Sequence, residues 1–269
     1  MKNKTFFALL LLMTTIVSLV GCKKKTPEEP APIANCETTY QFLFGDATST
    51  NERTSAVYEN GQLKALESSS FNFSYEYAQD KINITAAGKP YYRIDIASSL
   101  ATRLTDLTNS TEQRFSYDGS RNLIKIEFYF NGGLVDTKVL SYSNGNLSTV
   151  TQTFTGTPGA KRVTTYSYFP ETAGRVDTET RHLVFGDADP TIPLFLLGTA
   201  SSNVLKESHY TNTSDNFRSD VVKVYTYTRG SNNIANRIVE NSHTVTVGNG
   251  IQTQDETFKR TVLVNSTCN

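Results

Sequence analysis

One pattern recurs along most of the chain and constrains its fold more than any other feature. An aromatic strand end leads into a turn, and Leu or Ile follows with a second apolar residue two or three places on. Val57-Tyr58, Asn60-Gly61, Leu63 and Leu66 make one copy; Phe73, Tyr75 and Tyr77 lead through Asp80 to Ile82 and Ile84. Phe115-Ser116-Tyr117, Asp118-Gly119, Leu123 and Ile126 form the fullest copy. Leu140-Ser141-Tyr142, Asn144-Gly145, Leu147 and Val150 repeat it 25 residues later, and Tyr166-Ser167-Tyr168, Gly174 and Val176 follow 26 residues after that. Tyr225-Thr226-Tyr227, Gly230, Ile234 and Ile238 form a late copy. Asn-Gly and Asp-Gly supply the positive φ angles of tight hairpin turns. Ile124, Ile126, Phe128 and Phe130 alternate with Lys125, Glu127 and Tyr129, the period of a strand with one buried face. A period near 25 residues is two strands and two turns, so the chain reads as a meander of antiparallel hairpins.

That reading extends to an all-β fold of roughly fifteen strands, because sheets of this size curl. The expected form is a curled open sheet or partial barrel. Leu100, Leu104 and Leu107 have helical spacing. However, Arg103-Leu104-Thr105-Asp106-Leu107 matches the second half of the repeat, and Thr102, Thr105 and Thr108 favour a strand. Only Pro190 to Leu205 stands apart: Pro193 before Leu194-Phe195-Leu196-Leu197 and Gly198 after it suit one short helix near 194–198 or a loop crossing the sheet. Ser, Thr and Asn supply 82 of the 269 residues, which beside 14 Tyr and 15 Phe is the composition of exposed strands and turns rather than of disorder.

The first residues carry an address. Lys2 and Lys4 precede a 15-residue apolar run, Phe6 to Val20, which is short for a membrane span and right for a signal segment. It ends in Leu19-Val20-Gly21-Cys22, which resembles the bacterial lipobox. There a small residue precedes a cysteine whose thiol accepts diacylglycerol before the signal is cut. Residues 1–21 are therefore expected to be the signal peptide, with Cys22 lipidated. Residues 22–34, with three prolines and no aromatic ring, read as an extended tether, and 35–269 as a single β domain. No Asp follows Cys22, which favours the outer membrane. Lys23 to Lys25 ahead of Glu28-Glu29 leave its periplasmic and cell-surface faces both open. Without residues 1–21 the chain has 24 basic against 26 acidic groups. Such a balance gives no excess of cations to displace counterions from nucleic acid.

The aromatic-Ser-Tyr, Asp/Asn-Gly, Leu-x-x-Ile pattern is similar to the YD repeats of Rhs-type proteins. With the lipobox, a cysteine soon after it and the stretch Gly198-Thr199-Ala200-Ser201-Ser202-Asn203-Val204-Leu205, the chain resembles a family of Bacteroidota lipoproteins with a β-strand-rich domain of unknown function. The resemblance covers most of residues 36–269. It implies a fold and a compartment and brings no activity with it.

Motifs that carry chemistry are scarce. His182, His209 and His243 form no HxH or HExxH pair, and there is no CxxC, so no metal site is expected. Gly-x-Ser-x-Gly, Gly-x-Gly-x-x-Gly and the P-loop are absent, which leaves no catalytic or cofactor-binding residue to name. Asp187 and Asp189 read as a solvated loop rather than a calcium site. Tyr75 and Tyr77, Tyr166 and Tyr168, and Tyr225 and Tyr227 each put two rings on one strand face. Aligned across strands these would pack against one another or, as a concave ligand face, stack on flat ligands or sugars. Cys36 and Cys268 remain once Cys22 is lipidated; one opens the folded region and the other nearly ends it, so a disulfide between them is expected in an exported chain. The functional expectation is a non-enzymatic envelope lipoprotein of the outer membrane, binding a glycan or an envelope protein or serving a structural role. A glycan-binding accessory protein or glycan hydrolase is the alternative, and two close carboxylates beneath an aromatic platform would favour it.

Overall fold

The computed structural model describes residues 35–44, 52–172, 192–229 and 235–268. Cys22, the proposed signal and tether, Gly174, Val176, His182, Asp187, Asp189, Gly230 and Ile234 lie outside the described residues. The strands are β1 (Asn35–Phe44), β2 (Glu52–Glu59), β3 (Gln62–Ser68), β4 (Asn72–Tyr77), β5 (Lys81–Ala86), β6 (Lys89–Ala97), β7 (Leu100–Asp106) and β8 (Thr111–Tyr117). They continue as β9 (Leu123–Phe130), β10 (Gly133–Ser143), β11 (Asn146–Phe154), β12 (Lys161–Thr172), β13 (Asn203–Ser214), β14 (Phe217–Arg229), β15 (Ala235–Gly248) and β16 (Ile251–Cys268). Leu100–Asp106 is a strand, as its threonines suggest, and a 3-10 turn at Leu194–Leu197 is the one helical element among the described residues. Among the described residues no helix is long and apolar enough to cross a membrane.

Each strand pairs antiparallel with its neighbour in sequence, and β1 pairs with β16, so the meander closes into a full barrel of 16 strands. This corrects the open sheet or partial barrel expected from the repeat. Hairpin signals are local, whereas closure depends on the β1–β16 register between the two ends of the chain: Tyr40 opposes Val264 and Phe42 opposes Val262. Closure leaves no unpaired edge at β1 or β16.

One face of the strands is buried and the other is not. Ala56, Leu63, Leu66, Phe73, Ile82, Ile84, Ile94, Leu104, Phe115, Leu123, Ile126, Leu140 and Leu147, from β2 to β11, pack into one cluster with Ile192, Leu196 and Leu197 of the 3-10 segment. In a single sheet closed on itself, only the interior can bring side chains from so many strands together. A second cluster, Leu205, Tyr225, Ile238, Val262 and Val264, fills the same interior beneath β13 to β16.

The repeat acquires a physical meaning in the register. Residues three apart on a regular strand face opposite sides, yet Leu63 and Leu66, Leu123 and Ile126, and Ala101 and Leu104 are all buried. A register shift lies in each of these hairpins, and it leaves one extra residue, a β-bulge, on the second strand: Lys64, Ile124 and Thr102. Ser148 on β11 and Lys206 on β13 are the same device. Ile82 and Ile84 are two apart, and that hairpin pairs without a shift. The simple alternation read from Ile124 to Phe130 is thus broken at Ile124, and Leu123 takes the inward position.

Candidate functional site

The repeat tyrosines are inward, beside the bulges. Tyr117 Oη donates to the Ala101 carbonyl at 2.7 Å and lies 3.1 Å from that of Leu196. Tyr142 donates to Leu123 O at 3.0 Å, Tyr168 to Leu147 O at 2.7 Å and Tyr227 to Leu205 O at 2.8 Å. Each acceptor is the inward residue just before the bulge of the preceding strand. In these four places a hairpin is thereby fastened to the strand before it by a tyrosine hydrogen bond. Of the six tyrosines considered as a ligand face, Tyr75 and Tyr225 are buried, at 4% and 0% exposure, and present no surface to a ligand. Tyr77, Tyr166, Tyr168 and Tyr227 are partly buried and pack against the same clusters. Burial pushes the Tyr168 hydroxyl up to about 12, opposed by its hydrogen bond with Ser201, and burial raises the Tyr77 and Tyr225 hydroxyls too. These rings fill the interior near the lower rim, where Asn35 and Cys268 lie.

The 192–203 segment is stitched across the same rim. Thr199 N donates to Arg121 O at 3.1 Å, and Ser202 N to Gly145 O at 3.1 Å. Leu147 N donates to Ser201 Oγ at 3.1 Å, while Asn203 N donates to Asn146 Oδ1 and Asn146 Nδ2 to Asn203 Oδ1, each at 2.9 Å. The Gly198-to-Asn203 stretch thus ties the turns of β8–β9 and β10–β11 to the segment that packs Leu196 and Leu197 inside.

Toward the other, upper rim the interior turns polar. One cross-strand row runs Lys138, Gln152, Arg162, Asn212, Ser219, Thr246 and Gln254, over β10 to β16. It lies on the inward face, since Lys138 and Arg162 are two positions from inward Leu140 and two such steps from inward Tyr166. Deeper on the same face, Glu240 is 3% exposed and lies between two cations: Arg260 Nη2 is 2.7 Å from Oε2 and Lys223 Nζ 3.3 Å from Oε1. With both oxygens engaged, Glu240 serves as a cross-link between strands. Asp106 is inward as well, and Thr108 and Asn109 of its own turn occupy its oxygens. No sequence motif marks this polar row, because its members come from seven strands and only the register aligns them.

The outer face of β6 to β9 carries a run of charges. Arg103 Nε is 2.6 Å from Asp95, which Arg93 also approaches at 3.1 Å. Arg103 lies 3.8 Å from Glu112, Arg114 pairs with Glu112 at 2.5 Å, and Lys125 with Glu127 at 3.1 Å. These groups form one ladder across the middle of β6 to β9, with the Arg114 guanidinium 4.2 Å from the Tyr129 ring. On the other side of the barrel, Arg218 and His209 flank Asp220, and His243 lies 2.7 Å from Asp255. His209 and His243 therefore face carboxylates on the surface. No group of three or more His, Cys, Asp or Glu side chains that could hold a metal occurs among the described residues.

The chain is similar to a crystal structure of a porin-like protein from Bacteroides uniformis ATCC 8492, with a TM-score of 0.55 at 17% identity, over 88% of this chain and 98% of that one. At that identity the likeness concerns the β-barrel fold alone. No protein-family model matches the chain, and no curated protein matches it in sequence.

Proposed function

We propose that this protein is a non-enzymatic envelope receptacle, tethered to the outer membrane by lipid on Cys22, whose barrel stands in water beside the bilayer instead of spanning it. The outward ladder Arg93, Asp95, Arg103, Glu112, Arg114, Lys125 and Glu127 carries the reading. A membrane barrel turns an apolar band about 25 Å tall toward lipid and polar residues toward its lumen, and each Arg or Lys at the bilayer midplane costs roughly 2–4 kcal/mol. Here the order is reversed, with Ile82, Ile84 and Ile94 inside and ion pairs outside at mid-strand. The outward valines of β14 and β15, Val222, Val224, Val239 and Val245, do not form a belt, because Asp220, His243 and Asp255 lie among them. Apolar packing at the lower rim argues against a conducting pore, and the polar row toward the upper rim offers a recessed binding surface.

The test is fractionation. The wild-type protein should partition with membranes through its lipid. Cys22→Ser should yield a folded, monomeric β protein that stays in solution without detergent. If Cys22→Ser remains in carbonate-washed membranes, or needs detergent to keep its β spectrum, the barrel spans the bilayer and the reading is wrong.

A further inference from the structure

We propose that the polar row toward the upper rim binds an acidic saccharide, with the Arg162 guanidinium as the carboxylate receptor. The inference rests on reading the barrel interior as a receptacle. The arginines placed in ion pairs above are neutralised where they stand: Arg93, Arg103, Arg114 and Arg218 by carboxylates on the outer face, and Arg260 by Glu240 inside. Arg162 differs. It is half-buried on the inward face and forms no ion pair among the described residues, where the inward Asp136 lies two strands away opposite Phe154, and its Nε is buried without a hydrogen-bond partner. Its guanidinium carbon lies 4.9 Å from the centre of the Phe154 ring, a contact that orients the planar fork without satisfying its donors.

The register places amides on both sides of it, with Gln152 on β11 and Asn212 on β13 directly opposite Arg162. Lys138 lies one strand beyond Gln152, and Ser219 and Thr246 continue the row past Asn212. The row itself contains two cations and no carboxylate. A guanidinium fork takes a planar carboxylate through two parallel hydrogen bonds, whereas flanking amides and hydroxyls suit the hydroxyl groups of a sugar. Phe154 and Tyr210 project from the adjacent inward rows and offer ring faces to a pyranose. A carboxylate-bearing sugar meets all three features; a neutral sugar leaves Arg162 uncompensated, and a bare anion leaves the amides unused.

Calorimetric titration of the full-length mature lipoprotein in detergent micelles, with trigalacturonate, neutral galactotriose and sulfate as probes, tests this. Trigalacturonate should bind at least tenfold more tightly than either of the others. Arg162→Gln should weaken it tenfold or more, whereas Arg218→Gln on the outer face should leave it unchanged. Asn212→Asp provides a second variant that keeps the arginine. It sets a carboxylate opposite Arg162 as an internal competitor, so it should abolish binding while the β spectrum and melting temperature hold. Equal affinity for galactotriose, equal affinity for sulfate, no heat with trigalacturonate at millimolar concentration, or unchanged binding in folded Asn212→Asp would each overturn the proposal. A soluble, folded Cys22→Ser protein that fails to bind trigalacturonate would leave the water-standing barrel intact and remove only the acidic saccharide.

Discussion

Asp106 shows how much of this barrel rests on single polar side chains at its turns. It is 8% exposed, and its Oδ1 accepts from Thr108 N at 2.7 Å, Thr108 Oγ1 at 2.6 Å and Asn109 N at 3.0 Å, while Oδ2 accepts from Asn109 Nδ2 at 3.0 Å. Burial alone would raise its pKa, but these bonds to the ionised form outweigh burial and the pKa falls below the ordinary carboxylate value. A depressed folded-state pKa means that the stabilisation is complete above the unfolded value of about 3.9 and is lost as pH falls toward the folded one. Asp220, lowered mainly by its hydrogen bond from Arg218, acts in the same direction. Asp106→Asn is expected to cost about 1–3 kcal/mol at neutral pH and to lessen the acid-side loss of stability. Urea unfolding at pH 7 and below pH 4 checks this, and a variant as stable as wild type at pH 7 would contradict it. Gly198 is the other sensitive residue. Its φ is +82°, and a Cβ there would run into the Arg121 carbonyl, so Gly198→Ala should loosen the 3-10 segment from the lower rim. Faster hydrogen exchange at Leu196 and Thr199 is the expected sign.

At the scale of the hairpin, strand positions were largely legible while their inward face was not. The Asn-Gly pairs at 60–61 and 144–145 do take positive φ at both residues, as the mirror-image turns of hairpins require. Leu-x-x-Ile misled because a bulge changes the parity of a strand, and nothing in Ile124 itself announces that it is the extra residue. The tyrosine hooks were legible as a recurring Tyr but not as hydrogen bonds, since each acceptor is the carbonyl of a residue in the preceding repeat. Tyr168→Phe removes the hydroxyl that reaches Leu147 O and Ser201 Oγ, and a loss of about 1 kcal/mol is expected. The turn between β6 and β7 departs from the Asn-Gly pattern. Ser98 and Ser99 hold φ of +52° and +61° where the turns at 60–61, 131–132, 144–145 and 249–250 carry Asn and Gly. Left-handed backbone costs an ordinary residue roughly 1–2 kcal/mol, so the double change Ser98→Asn and Ser99→Gly should stabilise the barrel by about 1 kcal/mol. A lower urea midpoint in that variant would show that the serines make contacts worth more than the strain.

The whole molecule depends on an event that no local signal specifies, the meeting of β1 with β16. The two strands join residues from opposite ends of the domain, so the closure could not be read from a repeat whose information is confined to neighbours. The polar row escaped for the same reason, because Lys138 and Gln254 share it only once the sheet has wrapped round. Their ends, however, carry a trace of the seam: the register sets Cys36 directly opposite Cys268. Residues opposed in an antiparallel ladder have Cα atoms about 4.5–5.5 Å apart, within the roughly 4.4–6.8 Å that disulfides span. Such a bond would lace the seam where both chain ends would otherwise fray, and it would close a loop containing nearly the whole domain. On the chain-entropy model so long a loop is worth about 5 kcal/mol, and measured gains are often smaller. The export address proposed for residues 1–22 would put the pair in an oxidising compartment. The expectation is therefore that non-reducing peptide mapping of the exported protein recovers Cys36 and Cys268 in one linked peptide. The double variant Cys36→Ser and Cys268→Ser should unfold at lower denaturant, with hydrogen exchange rising first in β1 and the Cys268 end of β16. Two titratable thiols in the unreduced native protein, or exchange that rises uniformly round the barrel, would mean that backbone pairing and the Tyr40, Phe42, Val262 and Val264 contacts hold the seam without a covalent bond.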